Sequence, residues 1–585
     1  MYKKETFTAV ILFFILQICF AQSSFQNLEL GKNSLNYKGN PLKATDRKSL
    51  AFSDKGAWFG FGFLEHSKMQ GGFSGPFLMT EQNGVWLSSS FISLHLTDKN
   101  EQELIDWKSA LVSQNSYNSH LEQEFQNEKL EVKQQLVFSS GHSAIQKTII
   151  TNRSSKTITL YPIYNSKTYL DNMQLSTEGQ FLKLVSSKSN AVGYIQFFNE
   201  GIDIVITKDS FTAKTNKLTL KPNETKEIVV SQTYIFPQYD WKKENENLAK
   251  IQFNTVLKDT KKEKENQLAQ LIAKKKSIYK GAEYSIFIAK LLLTLQNNTR
   301  IPAEGLKHEG LFPSYHYEWF HGFWAWDSWK HAAALAQYNP DLAKNQMRAM
   351  FDYQEPNGFI PDCIYRDTLI EPNNYRNTKS PLAAWAVWEI YKQNKDVNFI
   401  KEFYPKLKNY HTWWYKERDH DQDGLCEFGS TDGTLVAGKW ESGMDNAVRF
   451  DNSKILKNGE QAYSLDQESV DLNSFLYAEK NYLAKMAKVL KLVNEEKIWT
   501  KESAKLKNQI QTQFWDAKTG WFYDTSIDGK NFIKDMGCEG FLPLWAEVAS
   551  VEQAKSIKNN LLNPDTFNTF VTLPTLTANQ PKFKP

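Results

Sequence analysis

Ala144-Ile145-Gln146-Lys147-Thr148-Ile149-Ile150-Thr151 is followed by Asn152-Arg153-Ser154-Ser155 and then by Thr157-Ile158-Thr159-Leu160-Tyr161-Pro162-Ile163-Tyr164. Apolar and polar side chains alternate on both sides of a polar turn, and residues two apart in a strand share a face. The spacing predicts a β-hairpin. Working outward, the same short runs recur at 202–207, 218–220 and 227–236, with Lys221-Pro222-Asn223-Glu224 as an interrupting turn. Many short strands without intervening helices predict an antiparallel β-sandwich over 22–240.

The pattern changes after 240. Residues 241–280 carry Lys258–Lys264 and Lys274-Lys275-Lys276 among good helix formers, which reads as a charged helical linker with a solvated face. From 281 the apolar spacing becomes three and four, beginning with 284–295. Further helices are predicted over 327–338, 341–353, 379–394, 397–417, 469–490, 493–514, 540–549 and 551–561. Helices in series, joined by long aromatic and acidic loops, describe a helical hairpin domain over 281–585 whose loops build a site.

At the other end, residues 1–21 have Lys3 and Lys4 ahead of an apolar run from Thr6 to Phe20 and the small residue Ala21. That is the build of a secretory signal peptide, so the expectation is an exported, periplasmic or secreted protein with no membrane segment once the signal is cleaved. The remaining cysteines, Cys363, Cys426 and Cys538, are widely spaced and read as core or loop residues, outside any disulfide or zinc framework. Lys+Arg 70 against Asp+Glu 66 leaves +4, too balanced for a nucleic-acid binder. Of 17 tryptophans, 13 lie after residue 300, so the helical half is where flat aromatic surface is concentrated.

Two segments carry that surface together with acids. The first runs from Glu309 to Trp329 and contains Trp324-Ala325-Trp326-Asp327-Ser328-Trp329. Tryptophan offers an apolar face to sugar C–H groups and a polar edge to hydroxyls, so Trp324 and Trp326 are candidate substrate-binding residues. Asp327 opens a helical pattern, where it serves either as a first-turn acid or as a site carboxylate. Trp329, beside Ala332 and Ala333, reads as core. The second segment is Trp440-Glu441-Ser442-Gly443-Met444-Asp445-Asn446-Ala447-Val448-Arg449. Glycine just ahead of the carboxylate describes a tight loop presenting Asp445 beside an apolar wall. Desolvation there would raise its pKa as a general acid requires, although Asp445 could equally cap a helix.

In this order and spacing the two segments resemble glycoside hydrolase family 63, the bacterial relatives of the mannosyl-oligosaccharide glucosidases; the Trp-Asp-Ser and Glu-Ser-Gly-Met-Asp elements are also similar to those of trehalases. The resemblance implies a β-sandwich followed by an (α/α)6 barrel and an inverting, exo-acting α-glucosidase for small oligosaccharides. It implies Asp445 as general acid, Trp324, Trp326 and Asp327 as a sugar wall, and Trp440 and Arg449 in the same pocket. Inversion needs a second carboxylate across the sugar. The family carries it beyond a Trp-Arg-Gly stretch that does not occur here, and nine predicted helices against twelve imply a barrel incomplete at its C-terminus, without that base. Glu441 and Glu539 are the in-chain acids to weigh in its place; Glu441 is too near Asp445 in sequence to stand readily on the opposite sugar face. Rival readings are a sugar-binding fragment without turnover and a related hydrolase for trehalose or mannosylglycerate. Met444, where trehalases usually carry an aromatic residue, leans toward family 63.

Asp419-His420-Asp421-Gln422-Asp423-Gly424-Leu425-Cys426-Glu427 alternates oxygen ligands with a glycine at the sharp turn. Converging carboxylates repel without a cation, and the start matches the D-x-D-x-D-G calcium pattern, with Glu at the ninth position and not the twelfth. The expected ligands are Asp419, Asp421, Asp423, the Leu425 carbonyl and Glu427 around a structural Ca²⁺, against the alternative of a solvated acidic turn. The resemblance implies one further glutamate, for which Glu468 is the candidate.

Overall fold

A computed structural model describes residues 25–584 apart from 66, 67, 82, 199, 200 and 318; the signal-peptide segment 1–21 lies outside the described residues. An antiparallel β-rich region is followed by a helical one. The contacts divide the chain into two compact units, one running to Ile301 with 314–319, the other comprising 302–313 and 320–585.

In the first unit an eight-stranded antiparallel sheet is ordered Met173–Glu178, Phe181–Ser186, Val192–Phe197, Thr225–Ile235, Ser143–Asn152, Leu130–Phe138, Leu121–Gln126, Leu111–Ser116. A second sheet has Ile158–Lys167 at its centre, paired with Ser93–Thr97, Ser210–Lys214 and Leu218–Leu220. One apolar core joins the sheets, with Val132, Leu136, Ile150 and Ile195 from the first meeting Leu94, Leu160, Phe211 and Leu220 from the second. The predicted hairpin is corrected here. Both strands exist, but they pair with other partners and lie in different sheets. The turn is a crossover: the buried Asn152 amide donates to Lys156 O (2.8 Å) and Leu220 O (2.9 Å), turning the chain out of one sheet and into the next. Alternation specifies a face, not a neighbour, so it could not distinguish the two.

The charged segment is more than a linker. Helices Trp241–Lys250 and Phe253–Ala273 lay Leu248, Phe253 and Leu257 on Val137 and Ile145, side chains on the reverse face of the large sheet. Helix Ala282–Asn298 buries Leu293 in the sandwich core, and its Asn297 accepts from Ser53 N at 3.0 Å. The division therefore falls near 301 and not at the change of periodicity at 281. Lys264 departs from the solvated face expected of its run: its ammonium lies 2.7 Å from Asp54 Oδ1, with both side chains buried.

The second unit contains helical pairs Ala325–Leu335 with Pro340–Phe351, Ala383–Asn394 with Val397–Glu417, and Val470–Val489 with Val493–Gln513. The first helices of successive pairs pack on one another, and each second helix of the first two pairs also touches the first helix of the next. The predicted 540–549 helix is a 3-10 turn, Cys538–Phe541, and one helical turn, Leu542–Trp545; Val551–Leu562 follows. Helix Leu435–Glu441, capped by the Thr434 hydroxyl on Ala437 N, was not anticipated, because seven residues carry too little periodicity to register. Trp329 is fully buried and Cys363 and Cys426 are core residues, as read from sequence. Among the described residues no helix is long and apolar enough to cross a membrane.

Replacing Lys264 with Met leaves the Asp54 carboxylate buried without its counter-charge, an arrangement that costs about 3–5 kcal/mol. Urea denaturation should show the transition of the first unit at a clearly lower midpoint in Lys264→Met, with a much smaller change for Lys258→Met on the same helix.

Candidate active site

A cavity of about 880 Å³ is lined by Trp326, the loop Gly443–Arg449, the segment Gly537–Glu539, Pro574–Leu576 and Lys582–Lys584. Trp326 and the loop that carries Asp445 and Arg449, over a hundred residues apart in sequence, thus share one space. Gly443 sits at φ +71, which favours glycine, and a Cβ there would overlap the Trp326 indole. On the ring's surface the Lys330 ammonium lies 3.2 Å from the centroid.

Trp324, Asp327 and Trp440 are not on the lining. Trp324 precedes helix Ala325–Leu335, in a strand paired with Cys363–Ile364. Asp327 occupies the first turn of that helix; burial pushes its carboxyl up, against the pull of Lys330 and Lys379. Trp440 packs under the Arg376 guanidinium at 5.0 Å, and its carbonyl accepts from Lys379, whose ammonium also lies 3.3 Å from Asp362 Oδ1. Ala325 N donates to Asp362 O at 2.8 Å, so buried Lys379 ties the start of one aromatic segment to the end of the other. Lys379 and Asp362 were missed from sequence, since neither lies in a motif.

Asp445 is exposed at the cavity, so the desolvating wall expected around it is not there: Trp326 covers Gly443, two residues away. Arg449 is buried; its Nη2 donates to Asp471 Oδ2 at 2.7 Å and its Nη1 to Asp524 Oδ2 at 3.0 Å. Glu441 has no part to spare for chemistry. Its carboxylate takes two bonds from the buried Arg418 (2.8 and 3.0 Å), one from Thr378 N (3.2 Å) and one from Gly429 N (2.6 Å).

The six residues read as metal ligands fall in or beside one turn. Single carboxylate oxygens of Asp419, Asp421 and Asp423 lie within 4.8 Å of one another, as do those of Asp421, Glu427 and Glu468. Leu425 N donates to Asp423 Oδ1 at 2.7 Å, and Gly424 N to Asp419 Oδ2 at 3.1 Å. Three buried oxygens, Asp419 Oδ1, Glu427 Oε1 and Glu468 Oε1, have no hydrogen-bond partner. Burial and then the neighbouring Asp423 and Asp421 push Glu468 up to about 9; burial, with Asp423 beside it, lifts Asp419 to about 6.

With this geometry in hand, the relatives are informative. Residues 321–585 match the mannosylglycerate hydrolase MGH1-like glycoside hydrolase domain, and residues 39–189 match the N-terminal domain of glucosidase YgjK. The mannosylglycerate hydrolase of Thermus thermophilus is 28% identical over 186 residues, covering 28% of this chain and 40% of that one. That of Rubrobacter radiotolerans is 22% identical over 311 residues, covering 41% and 68%. A solved structure of a family 63 mannosylglycerate hydrolase from Thermus thermophilus with glucose bound aligns at TM-score 0.40 and 21% identity, covering 51% of this chain and 80% of that one. The chain thus spans less than half of the Thermus thermophilus relative's sequence and about two thirds of the Rubrobacter radiotolerans one. The helical unit is a glycoside hydrolase domain. The match to the MGH1-like glycoside hydrolase domain covers residues 321–585, somewhat under half of the chain, and the other matches are likenesses to these relatives.

Gly443→Ala should displace the Trp326 ring and strain the loop, since alanine at positive φ and overpacking each destabilise, together by roughly 1–3 kcal/mol. The check is a lowered thermal midpoint accompanied by a changed tryptophan fluorescence spectrum; alanine at Gly459, whose Cβ would meet only Ala462 Cβ at an ordinary 3.6 Å, should alter neither.

Proposed function

We propose that this protein is an inverting, exo-acting glycosidase that removes the terminal sugar from small α-linked gluco-oligosaccharides, with Asp445 as general acid. The observation that carries the reading is the single cavity in which Trp326, Asp445 and Arg449 meet, within a glycoside hydrolase domain. Trp326 supplies an apolar face for the sugar. Asp445, on a loop held by Arg449, reaches the glycosidic oxygen and donates the proton that the leaving group needs. Water attacks from the other side of the ring and passes its proton to a second carboxylate, a base that is not among the acids of this cavity on this reading. Glu441 is not the base, because four donors already hold its carboxylate. Trp324, Asp327 and Trp440 back the sugar wall. The helical pairs belong, on this reading, to an (α/α)6 barrel, and the protein is exported by way of residues 1–21. The glucosidase match of the β-rich unit favours an α-glucoside. A second substrate, mannosylglycerate, is favoured by the names of the relatives that match the chain.

The acidic turn fits a structural Ca²⁺. Hard oxygen donors converge there, and three of them are buried without a partner, which a divalent cation would satisfy. Asp419, Asp421, Asp423, Glu427, Glu468 and the Leu425 carbonyl would hold it.

Two measurements test these readings. Incubation with α-linked glucobioses and with mannosylglycerate, followed by NMR, should show release of the sugar with inverted anomeric configuration. Asp445→Asn should lower kcat by about 10²- to 10⁴-fold, the usual contribution of a general acid, while sugar binding persists; retained turnover would sink the assignment. Separately, Ca²⁺ after chelation should raise the thermal midpoint, by an amount equivalent to ~2.7 kcal/mol at a hundredfold excess over Kd. Asp421→Asn with Glu468→Gln should abolish that response.

A further inference from the structure

We propose that Glu539 is a specificity-determining residue, a neutral carboxylic acid that donates a hydrogen bond to a substrate hydroxyl in the cavity beside Asp445. This deepens the glycosidase reading and rests on it. Three acids surround one buried cation. Asp471, from the start of helix Val470–Val489, and Asp524, from strand Asp524–Ser526, are both paired with Arg449. That pairing already exceeds the single positive charge by one. Glu539 is the third acid, buried, with its carboxyl folded over Gly537, where a Cβ would collide with it. It lines the cavity, and no other side chain among the described residues donates to it. A second uncompensated negative charge in this enclosure is costly; burial lifts Asp524 as well, but its ion pair with Arg449 opposes that, so the proton stays on the one acid that has no ion-pair contact with the guanidinium.

The same logic sets its titration. Burial pushes Glu539 up to about 8; Arg449 opposes this, and Asp524 and Asp471 add to it. Tyr523 and Cys538 beside it are both pushed up by burial, Cys538 to about 11, and stay neutral through this range; Asp445, Asp535, Lys582 and Lys584 line the same cavity. A carboxyl protonated at neutral pH cannot serve as the base that activates water. It can donate, as buried neutral carboxylic acids do in other enzymes. A site built to hydrogen-bond a particular hydroxyl also rejects sugars that lack or misplace it, because the buried acid is then left unpaired.

The test is calorimetric binding of D-glucose and of mannosylglycerate to the full chain from pH 7 to pH 9, in wild type, Glu539→Gln and Glu539→Ala. The wild type should lose about tenfold in affinity for the sugar it holds, as the acid ionises above about 8. Glu539→Gln, a neutral donor of the same length, should bind within about threefold of wild type at pH 7 and stay flat to pH 9. Glu539→Ala should be weaker by tenfold or more throughout. Lys330, over Trp326, titrates near 8 as well, so the flat glutamine profile is what assigns the alkaline limb to Glu539. A flat wild-type profile, a glutamine variant as weak as alanine, or a wild type that binds neither sugar overturns the proposal. Sugar binding with the expected pH pattern but no hydrolysis would overturn the glycosidase reading and leave this one standing.

Discussion

Arg449 is the point on which the cavity hangs. A guanidinium removed from water must be compensated on the spot, and here Asp471 and Asp524 do so from two elements far apart in the chain. The pairing fixes the end of the Asp445 loop to the first turn of helix Val470–Val489 and to strand Asp524–Ser526. Asp524 also accepts from Val470 N at 2.9 Å and from Gln467 Nε2 at 3.1 Å, so the helix start, the strand and the loop become one rigid corner. Arg418 does the same at the other end of the second segment, holding Glu441 against Thr378 and Gly429. Between these anchors only a few residues, Asp445 among them, are left to face solvent.

The strand behind Asp524 connects the corner to the acidic turn. Successive strand residues point to opposite faces. Asp524 accordingly reaches Arg449, while Thr525 bonds Glu468 Oε2 at 3.4 Å, on the side where Glu468 approaches Asp421 and Glu427. An ion in the acidic turn would stiffen the same strand that positions the Arg449 corner. This gives a structural cation a route to the cavity without any contact with substrate, through a contiguous set of hydrogen bonds and ion pairs rather than by distance alone.

Much of the helical unit was legible in the apolar spacing, because amphipathic helices of twelve residues or more repeat their buried positions several times. Helices Val397–Glu417 and Val493–Gln513 fall within a residue of their predicted bounds. The aromatic and acidic segments were legible for a different reason: Trp326, Gly443 and Asp445 have few uses in a plain core. Asp445 shows the limit of that reasoning. Its neighbours in sequence promised an apolar wall, but the indole that faces this loop lies over Gly443, leaving the carboxylate exposed. Asp471, Asp524 and Lys379 carried no local signal, being single charged residues in ordinary surroundings that become significant only once folding brings them to one guanidinium or one helix start.

By itself the sequence determined the order of the two kinds of structure, the faces of most strands and helices, the acidic turn and the two aromatic and acidic segments. These follow from periodicities and residue types that act over a few positions. Tertiary structure alone decided that the strands around Asn152 join different sheets, that Lys264 is buried on Asp54, that Glu441 is consumed by Arg418, and that Glu539 shares a cavity with Asp445. Each of these depends on the balance of charge and hydrogen bonding between groups distant in the chain. No local pattern encodes that balance, because the cost of burying a charge is set by whatever the fold places beside it.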